Sequence, residues 1–343
     1  MDEKHLSAYV GSMQQAASVR PLIYTEGRAG GMKAYEVKNG ALRYVVMADK
    51  CLDIADCSYR GINLNFLSKP GLMGRNHFDT HGEEARRSIM GGLFFTCGLE
   101  NICPPCIDEG IDYPMHGRLR TTPAEHLCSD ASWINGEYQI TLSGEMREAE
   151  LFGENMLLRR TIMTKLGTKT IVLRDDFKNN GFETQPMMLL YHFNFGYPFL
   201  TEASRIIIPA EKTEARDASA DLARWNVMDA PNPGAAEQVF VHELRAGGNG
   251  RTFAAVVNDD LGIGVKLCFN KNVLPRFMEW KSTAAGDYVM GLEPANSSVL
   301  GRLDQKKSGL PVLAPFESKQ IDITVEILEG EEISELYQDP LLG

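Results

Sequence analysis

Residues 157–179, LLRRTIMTKLGTKTIVLRDDFKN, carry the clearest fold signal in this chain of 343 residues. Two runs rich in apolar and β-branched residues flank Leu166-Gly167-Thr168. Glycine adopts positive φ at little steric cost, so this short loop can join two antiparallel strands. The segment therefore predicts a β-hairpin.

Similar β-rich runs recur along the chain, with no helical pattern between them. They are ALRYVVMADKCLDI (41–54), LNFL (64–67), YQITL (138–142), RIIIPA (205–210), QVFVHEL (238–244), TFAAVV (252–257), GVKLCF (264–269) and IDITVEIL (321–328). A helical spacing of apolar residues occurs at the start, over residues 6–17, and ends before Pro21. The pattern predicts an all-β protein, a large antiparallel β-sandwich with a short N-terminal helix.

The length of the chain allows more than one domain at roughly 150 residues each, but one sandwich can hold about 250 residues. Two segments, 74–88 and 211–237, have the composition of long loops, and neither is long enough for a disordered linker. Long loops inside a compact sandwich are more often functional than idle. We therefore predict a single domain over residues 1–343, with residues 1–24 as a helical extension.

The charge of the chain limits its partners. The sequence contains 46 acidic and 35 basic residues, for a formal net charge of −11, and has no long Lys/Arg run. Nucleic acids and anionic membranes are therefore disfavoured as partners. A neutral small molecule fits better, and the sequence leaves the oligomeric state open, a homo-oligomer included.

The N-terminal sequence MDEKHLSAYVG has no apolar segment behind a basic start, as a secretory signal would. Uninterrupted apolar runs of about 18 residues, which a membrane span requires, do not occur. The cysteines number seven, which fits reduced thiols better than a disulfide framework. We expect a cytoplasmic protein.

The segment YPMHGR (113–118) places His116 before a glycine and Arg118 two residues later. Glycine lets the backbone approach a ligand closely, and a guanidinium group donates to oxygen-rich ligands. An isolated histidine near a turn also serves as a structural hydrogen-bonding residue. The segment alone leaves both interpretations open.

The segment MMLLYHFNFGY (187–197) sets His192 and Asn194 on one face of an apolar strand, because residues two apart share a face. Burying two polar side chains is costly unless they are hydrogen-bonded or face a pocket. The aromatic residues at 191, 193, 195 and 197 fit core packing on the opposite face. His192 is therefore either a satisfied core residue or a site residue.

The segment YVMGLEPAN (288–296) contains Glu293 inside an apolar strand, just before a proline. Glutamate is rarely buried without a partner, and burial raises its pKa until it can act as a base near neutral pH. The alternative is a strand-end glutamate bonded to a neighbouring arginine. Trp280, upstream, is either a platform for sugar stacking or a core aromatic residue.

Two groups of metal-ligating residues are weaker candidates. One could supply four zinc ligands and consists of Cys97, Cys103, Cys106 and His116, but it contains a single CxxC knuckle. In the other, His77 and His81 lie four residues apart without the glutamate of an HExxH motif. The sequence contains no GxGxxG, P-loop or GxSxG motif, so nucleotide cofactors and an α/β-hydrolase triad have no support. We expect neither a metal nor a cofactor.

Taken in chain order, the motifs resemble the aldose 1-epimerase (galactose mutarotase) superfamily, and most of all an uncharacterised aldose-1-epimerase-like branch. They are MADKCLDIADCSYRG (47–61), GGLFFTCGLEN (91–101), MHGR (115–118), LLYHFNFGYP (189–198) and YVMGLEPANSSVLGR (288–302). The resemblance covers roughly residues 25–328. It implies a galactose mutarotase-type sandwich that acts on a sugar.

The resemblance also implies roles for single residues. Glu293 matches the general base of the family, His192 the general acid, and His116 the substrate-binding histidine. Asn194 and Trp280 are further substrate-binding candidates, because they lie close to these motifs in the sequence.

Two family features are absent from the sequence. The loop G-R-x-A-N-R stands here as TCGLEN (96–101), without its sugar-binding arginine, and the aspartate of a D-H segment is missing from VFVH (239–242). The candidates to replace these contacts are Asp49, Lys50, Arg118, Lys281 and Arg302. The departures concern the identity of the sugar more than the chemistry.

Anomer interconversion needs one group to take the proton of the C1 hydroxyl and another to protonate the ring oxygen. A carboxylate and an imidazole on opposite sides of the sugar suffice, each contributing about 10²–10⁴ in rate, without a metal or redox cofactor. The first hypothesis is therefore an aldose 1-epimerase-like isomerase. A non-catalytic carbohydrate-binding or sensing protein on the same fold is the second, and a metal-dependent sugar isomerase or hydrolase is a distant third.

Overall fold

The computed structural model describes residues 3–74 and 81–343. Helix α1 (Glu3–Ser7) is followed by a 3-10 turn at Met13–Gln15, and strand β1 (Ser18–Ile23) begins soon after. The prediction of one helix over residues 6–17 is therefore wrong in its extent. Ser12 caps the 3-10 turn by accepting the Gln14 N–H, which starts a new element where the predicted helix would continue.

The remaining strands have the following bounds in chain order. The first group is β2 (Lys33–Lys38), β3 (Leu42–Met47), β4 (Asp53–Tyr59), β5 (Ile62–Asn63), β6 (Phe66–Leu67), β7 (Gly91–Gly92), β8 (Phe94–Leu99), β9 (Cys106–Asp108) and β10 (Ile111–Tyr113). The second is β11 (Ala124–Ile134), β12 (Glu137–Ala149), β13 (Asn155–Lys165), β14 (Thr170–Asn179), β15 (Gln185–Pro186), β16 (Met188–Phe195), β17 (Ser204–Ile207) and β18 (Ala210–Ala215). The third is β19 (Gln238–Leu244), β20 (Arg251–Asn258), β21 (Ile263–Asn270), β22 (Arg276–Ala284), β23 (Asp287–Ala295), β24 (Val312–Leu313) and β25 (Ser318–Glu329).

Two further α-helices and several 3-10 turns connect these strands. The helices are α2 (Arg302–Gln305) and α3 (Glu331–Tyr337), and the other 3-10 turns are Gly27–Ala29, Gly82–Arg87, Leu119–Thr121, Lys306–Ser308 and Pro340–Leu342. The described helices are much shorter than the roughly 20 apolar residues of a membrane span, so none of them is long and apolar enough to cross a bilayer.

Three antiparallel sheets of the described residues form the body of the fold. The largest has eight strands in the order β11-β12-β13-β14-β25-β21-β20-β17, the second has six in the order β18-β19-β22-β23-β16-β8, and the third has five, β1 to β5. The hairpin predicted at 157–179 is the pair β13–β14, and Gly167 at its turn has φ +76°. The predicted antiparallel sandwich is confirmed.

The main core fills the space between the sheets. Alternate residues of the eight-stranded sheet, such as Leu158 and Ile171, pack in one cluster with Phe94, Phe193 and Leu292 of the six-stranded sheet. Because side chains alternate along a strand, the residues between them point to the other face of the six-stranded sheet. That second face carries a smaller cluster that includes Phe95, Leu190 and Met278, and it also carries the candidate site.

The two predicted long loops are only partly loops. Within 74–88, the described residues include the 3-10 turn Gly82–Arg87, and residues 75–80 lie outside the described part. Within 211–237, strand β18 occupies the first residues, and the segment from 216 to 237 then connects β18 to β19.

Candidate active site

His192 and Glu293 meet on neighbouring strands of the six-stranded sheet. In the antiparallel register that sets Phe193 opposite Leu292, His192 of β16 lies opposite Glu293 of β23. His192 Nε2 is 3.2 Å from Glu293 Oε1, and both side chains are buried. The contact does not have hydrogen-bond geometry: within the described residues, Glu293 Oε1 and His192 Nδ1 have no hydrogen-bond partner. Buried polar atoms without a partner are rare, which makes this pair a candidate ligand site.

This arrangement corrects the expectation that the carboxylate and the imidazole lie on opposite sides of a sugar. They lie side by side on one sheet face, in contact. The side-by-side geometry is chemically sensible, because the hydroxyl oxygen and the ring oxygen of a cyclic sugar are bonded to the same anomeric carbon. Two adjacent protein groups can therefore reach two adjacent sugar oxygens.

Burial dominates the ionisation of both groups. It raises the pKa of Glu293 to about 8, with a further rise from the nearby Glu237 carboxylate and an opposing effect of Arg216. Burial also lowers the pKa of His192 to about 3. A low-dielectric site disfavours the charged form of each group. Near neutral pH the pair therefore holds one proton.

Aromatic rings frame the His192 imidazole on several sides. Phe95, opposite it on β8, stacks on the ring with centroids 4.5 Å apart and an interplanar angle of 20°. Trp280 and His116 meet the same imidazole edge to face, with centroids 5.4 Å and 5.7 Å away. The rings fix the plane of the imidazole, so that its nitrogens point in defined directions.

His116 reaches this face from the loop after β10, in a left-handed backbone conformation with φ +59°. Its N–H donates to the Cys103 carbonyl at 3.0 Å, and its own carbonyl accepts from the Gly98 N–H at 3.2 Å. Its Nδ1 lies 3.1 Å from Cys97 Sγ. Burial raises the pKa of the Cys97 thiol and lowers the pKa of His116, so both groups are neutral and share one hydrogen.

A chain of polar contacts extends from the pair to the segment 216–237. Trp280 Nε1 donates to Glu237 Oε2 at 2.9 Å, and Arg216 donates to the other Glu237 oxygen at 3.1 Å. Arg216 and Glu237 are also the charges that act on the pKa of Glu293. This segment, predicted as a functional loop, therefore brings polar groups to the rim of the site.

Gly291 leaves the space that the Glu293 carboxyl group occupies. It lies opposite Trp280 and two residues before Glu293, hence on the same face. A Cβ at this position would lie 2.9 Å from Glu293 Oε1 and 3.1 Å from Trp280 Cβ. Its φ lies outside the left-handed region, so the need for glycine here comes from space rather than backbone conformation.

We therefore expect Gly291→Ala to displace the Glu293 carboxyl group while the chain still folds, because the closest atom is the end of a flexible side chain. If the site catalyses the sugar anomer exchange that the motif resemblance implies, a displacement of this kind should reduce that exchange by roughly tenfold to a hundredfold. NMR measurement of exchange, beside a urea unfolding curve, checks it. Gly11→Ala, whose Cβ would have only a contact at 4.0 Å, is the control. Unchanged exchange in Gly291→Ala would contradict the role of Gly291.

The structure brings together five of the predicted site residues: Glu293, His192, His116, Trp280 and Asn194. Asn194 is buried, and its Nδ2 donates to the His192 carbonyl at 2.7 Å. The aromatic residues predicted to face the core do so at 191, 193 and 195, which are fully buried, whereas Tyr197 is 75% exposed. The roles of the five in substrate binding or catalysis stay predictions.

Lys281 does not join them. As the neighbour of Trp280 on β22, it points to the opposite face, where its Nζ donates to the Arg224 carbonyl at 2.6 Å and the Val227 carbonyl at 3.2 Å. It thus holds the segment 216–237 through two of its carbonyl groups, on the sheet face opposite the candidate site. Its placement removes it from the candidate substrate contacts.

The two predicted arginines are held by other partners. Arg118 pairs with the carboxylate of Glu100, the residue that follows β8. Arg302 donates to Asp108 Oδ2 at 2.9 Å and to the Glu100 carbonyl at 2.8 Å, and it stacks on the Tyr113 ring. Both arginines therefore have a structural role, because they join Glu100, which follows β8, to neighbouring segments of the chain, and Arg302 also bonds to Asp108 of β9.

Asp49 and Lys50 lie in the turn between β3 and β4. Asp49 Oδ2 accepts the Lys33 N–H at 2.7 Å, which ties this turn to β2. The Lys50 side chain is buried. Among the described residues, Asp49 forms no hydrogen bond with His192 or Glu293.

The candidate zinc ligands do not gather. Among the described residues, the group of ligand atoms within 4.8 Å of one another is Glu125, His126 and Glu145, and it includes none of the four predicted residues Cys97, Cys103, Cys106 and His116. Arg159 already donates to the Glu145 carboxylate. His81 Nδ1 lies 3.1 Å from Asp112 Oδ2, and His77 lies outside the described residues.

Five residues at the site were not predicted from the sequence. They are Phe95, Gly291, Arg216, Glu237 and Cys97, the last of which contacts His116. For Phe95 and Cys97 a signal was available, because both lie two residues apart in the apolar strand FFTCGL and so share a face. Gly291 also lies inside a quoted motif. Arg216 and Glu237 gave no signal, because their proximity to Glu293 depends on the path of a long connection.

Comparisons with known proteins agree with this architecture. A family model described as a domain of unknown function (DUF4432) matches residues 29–327. A candidate aldose 1-epimerase from Klebsiella pneumoniae is similar in structure, with a TM-score of 0.89 and 22% identity over 100% of this chain and 91% of that one. Among curated proteins, a sequence search finds no match.

More distant structures have the same fold. A galactose mutarotase-like protein from Clostridium acetobutylicum gives a TM-score of 0.64 at 14% identity, over 92% of this chain and 100% of that one. Galactose 1-epimerase from Lactobacillus acidophilus gives 0.55 at 11% identity, over 92% and 99%. The resemblance that the motifs indicate is thus confirmed at the level of the fold.

Proposed function

Because the chain belongs to the DUF4432 family and carries a buried His–Glu pair on a galactose mutarotase-type sheet, we propose that it is an aldose 1-epimerase-like isomerase. Its substrate would be a free sugar whose anomers it interconverts. The observation that carries the proposal is the contact of His192 Nε2 with Glu293 Oε1, in which the carboxyl oxygen has no hydrogen-bond partner among the described residues. A cytoplasmic role in carbohydrate metabolism is part of the proposal.

In the proposed reaction, the pair moves one proton in each direction. The pKa values favour the form with the proton on Glu293, so the reactive form is the less populated one in which that proton has passed to His192. In that form the carboxylate of Glu293 takes the proton of the C1 hydroxyl, and the protonated His192 delivers its proton to the ring oxygen, so that the ring opens. Rotation about the C1–C2 bond presents the other face of the aldehyde. Closure then reverses both transfers and regenerates the starting protonation state.

The surrounding residues support this chemistry. His116 would donate to or accept from a sugar hydroxyl through Nε2, because Nδ1 faces Cys97. Trp280 would cover an apolar face of the sugar ring, with its indole nitrogen held by Glu237. Asn194 would support this stretch of β16, because its Nδ2 donates to the His192 backbone carbonyl.

We expect the rate to depend on the singly protonated pair, which gives a defined pH profile. The pKa of His192 is about 3 and that of Glu293 about 8, so one proton is shared between these limits. The value of kcat/KM should be flat from about pH 5 to 7, fall to half near the upper pKa, and decrease about tenfold per pH unit beyond it. The fall occurs on the alkaline side because the pair then lacks the proton that the ring oxygen needs. A rate that rises through pH 8 would contradict this protonation state.

The direct test of the function is anomer exchange by NMR over a panel of free aldoses and ketoses. Acceleration for one sugar that is lost in Glu293→Gln and in His192→Asn supports the isomerase and identifies the substrate class. Saturable sugar binding without acceleration would overturn it in favour of a carbohydrate-binding or sensing protein. Neither acceleration nor binding across the panel would mean that the likeness to mutarotases ends at the fold.

A further inference from the structure

A cavity lies at the C-terminal end of β19, apart from the His192–Glu293 pair. Its volume is about 540 Å³, and its lining includes Arg245, Lys271, Glu211 and three glycines of the turn 246–250, Gly247, Gly248 and Gly250. None of these residues takes part in the candidate active site. The volume falls in the range of roughly 300–1,000 Å³ that small-molecule sites occupy.

The cavity holds two cations that form no ion pair within the described residues. Arg245 has a long contact of 3.4 Å from Nη1 to the Leu341 carbonyl, and Lys271 donates from Nζ to the Leu244 carbonyl. Each therefore keeps N–H donors for a ligand, since a guanidinium group has five and an ammonium group three. Two cations without counter-ions in one cavity stand out in a chain of net charge −11.

The turn AGGNG (246–250) adds backbone donors at the same place. Its closing bonds run from the Gly247 N–H to the Arg251 carbonyl and from the Gly250 N–H to the Gly247 carbonyl. In the described part of the chain, the N–H groups of Gly248 and Asn249 have no acceptor. Lys271 is joined to this turn, because its own N–H donates to the Gly250 carbonyl at 2.8 Å. Concave sets of backbone N–H groups bind anions such as phosphate.

We propose that this cavity binds a phosphorylated, hydroxylated small molecule of the sugar phosphate class. Arg245 and Lys271, with the turn amides, would hold the phosphate, for which a guanidinium group offers a bidentate match. The carboxylate of Glu211 cannot accept a bond from a phosphate dianion. It can accept hydrogen bonds from hydroxyl groups, so it would face the sugar part of the ligand.

Calorimetric titration with glucose 6-phosphate, inorganic phosphate and glucose tests the proposal at low ionic strength. The decisive variants are Gly248→Asp and Gly248→Asn, because a Cβ at this position meets nothing within 4 Å and the two side chains differ in charge. Gly248→Asp places a carboxylate beside the phosphate position and is expected to weaken binding of glucose 6-phosphate at least tenfold. Gly248→Asn should bind within about twofold to threefold of the wild type.

A second pair of variants separates lost binding from a folding defect. The double variant Arg245→Gln/Lys271→Gln should bind glucose 6-phosphate at least tenfold more weakly than the wild type. The control, Lys212→Gln, removes a neighbouring charge that pairs with Glu214 and should bind glucose 6-phosphate as the wild type does. Glu293→Gln should bind as the wild type does, whether or not the proposed isomerase is correct. The proposal is overturned if glucose 6-phosphate does not saturate the wild type, if it binds no tighter than inorganic phosphate, or if Gly248→Asp binds as well as Gly248→Asn.

Discussion

Replacing Glu293 by Gln is expected to reduce catalysed anomer exchange by about 10²–10⁴-fold, the range of general acid–base catalysis. Gln keeps the volume of the side chain, so the packing against Trp280 and Gly291 is preserved. It removes the carboxyl group that takes and returns a proton in the proposed reaction, 3.2 Å from His192. Exchange spectroscopy by NMR, at a sugar concentration well above KM, measures the effect on kcat.

The chain contains a matched control on the opposite face of the same sheet. His242 Nε2 lies 3.2 Å from Glu279 Oε2, both side chains are fully buried, and burial raises the pKa of Glu279 as it does that of Glu293. Glu279→Gln therefore makes the same change in an equally buried His–Glu pair, away from the candidate site. An equal loss of exchange in both variants, or no loss in Glu293→Gln, would refute the assignment of Glu293.

The β-strands, and the polar residues that share a face within an apolar strand, could be predicted from the sequence because both follow local rules. The hairpin β13–β14 depends on Gly167, and the shared face of His192 and Asn194 depends on strand alternation. The same rule excludes one of the predicted pairs of substrate contacts. Trp280 and Lys281 are neighbours on a strand, so they cannot both face one site.

Other parts of the site could not be predicted from the sequence. His116 comes to His192 because its loop is tied to Cys103 and to Gly98 by backbone hydrogen bonds between distant residues. Arg216 lowers the pKa of Glu293 from a position next to β18, where its N–H donates to the Val239 carbonyl of β19. These contacts depend on tertiary packing, which residue spacing does not encode.

A buried charge network in the main core leads to the second large prediction. Arg160 of β13 is fully buried, and it donates to Asp53 Oδ1 at 2.6 Å and to both oxygens of Asp175, at 2.8 Å and 2.6 Å. Burial raises the pKa of Asp53 to about 6 in spite of this arginine. Arg160→Met keeps most of the volume and leaves two buried carboxyl groups without their cation. We expect the free energy of unfolding to fall by about 3–5 kcal/mol, measured by urea denaturation.

The neighbouring arginine provides the comparison that isolates burial. Arg159 also pairs with a carboxylate, that of Glu145, but its side chain is 63% exposed, and Arg159→Met should cost at most about 1 kcal/mol. Without Arg160, the carboxyl group of Asp53, whose pKa burial already raises to about 6, would take up a proton in the folded state at a still higher pH than in the unfolded chain. The folded variant then binds more protons than the unfolded one, so its stability should decrease as the pH rises, and its deficit should be smaller at about pH 5 than at about pH 8. The contrary result is that Arg160→Met lowers the free energy of unfolding no more than Arg159→Met does. That result would mean that the network does not stabilise the contact between the eight-stranded and five-stranded sheets, and that the apolar residues around it do so alone.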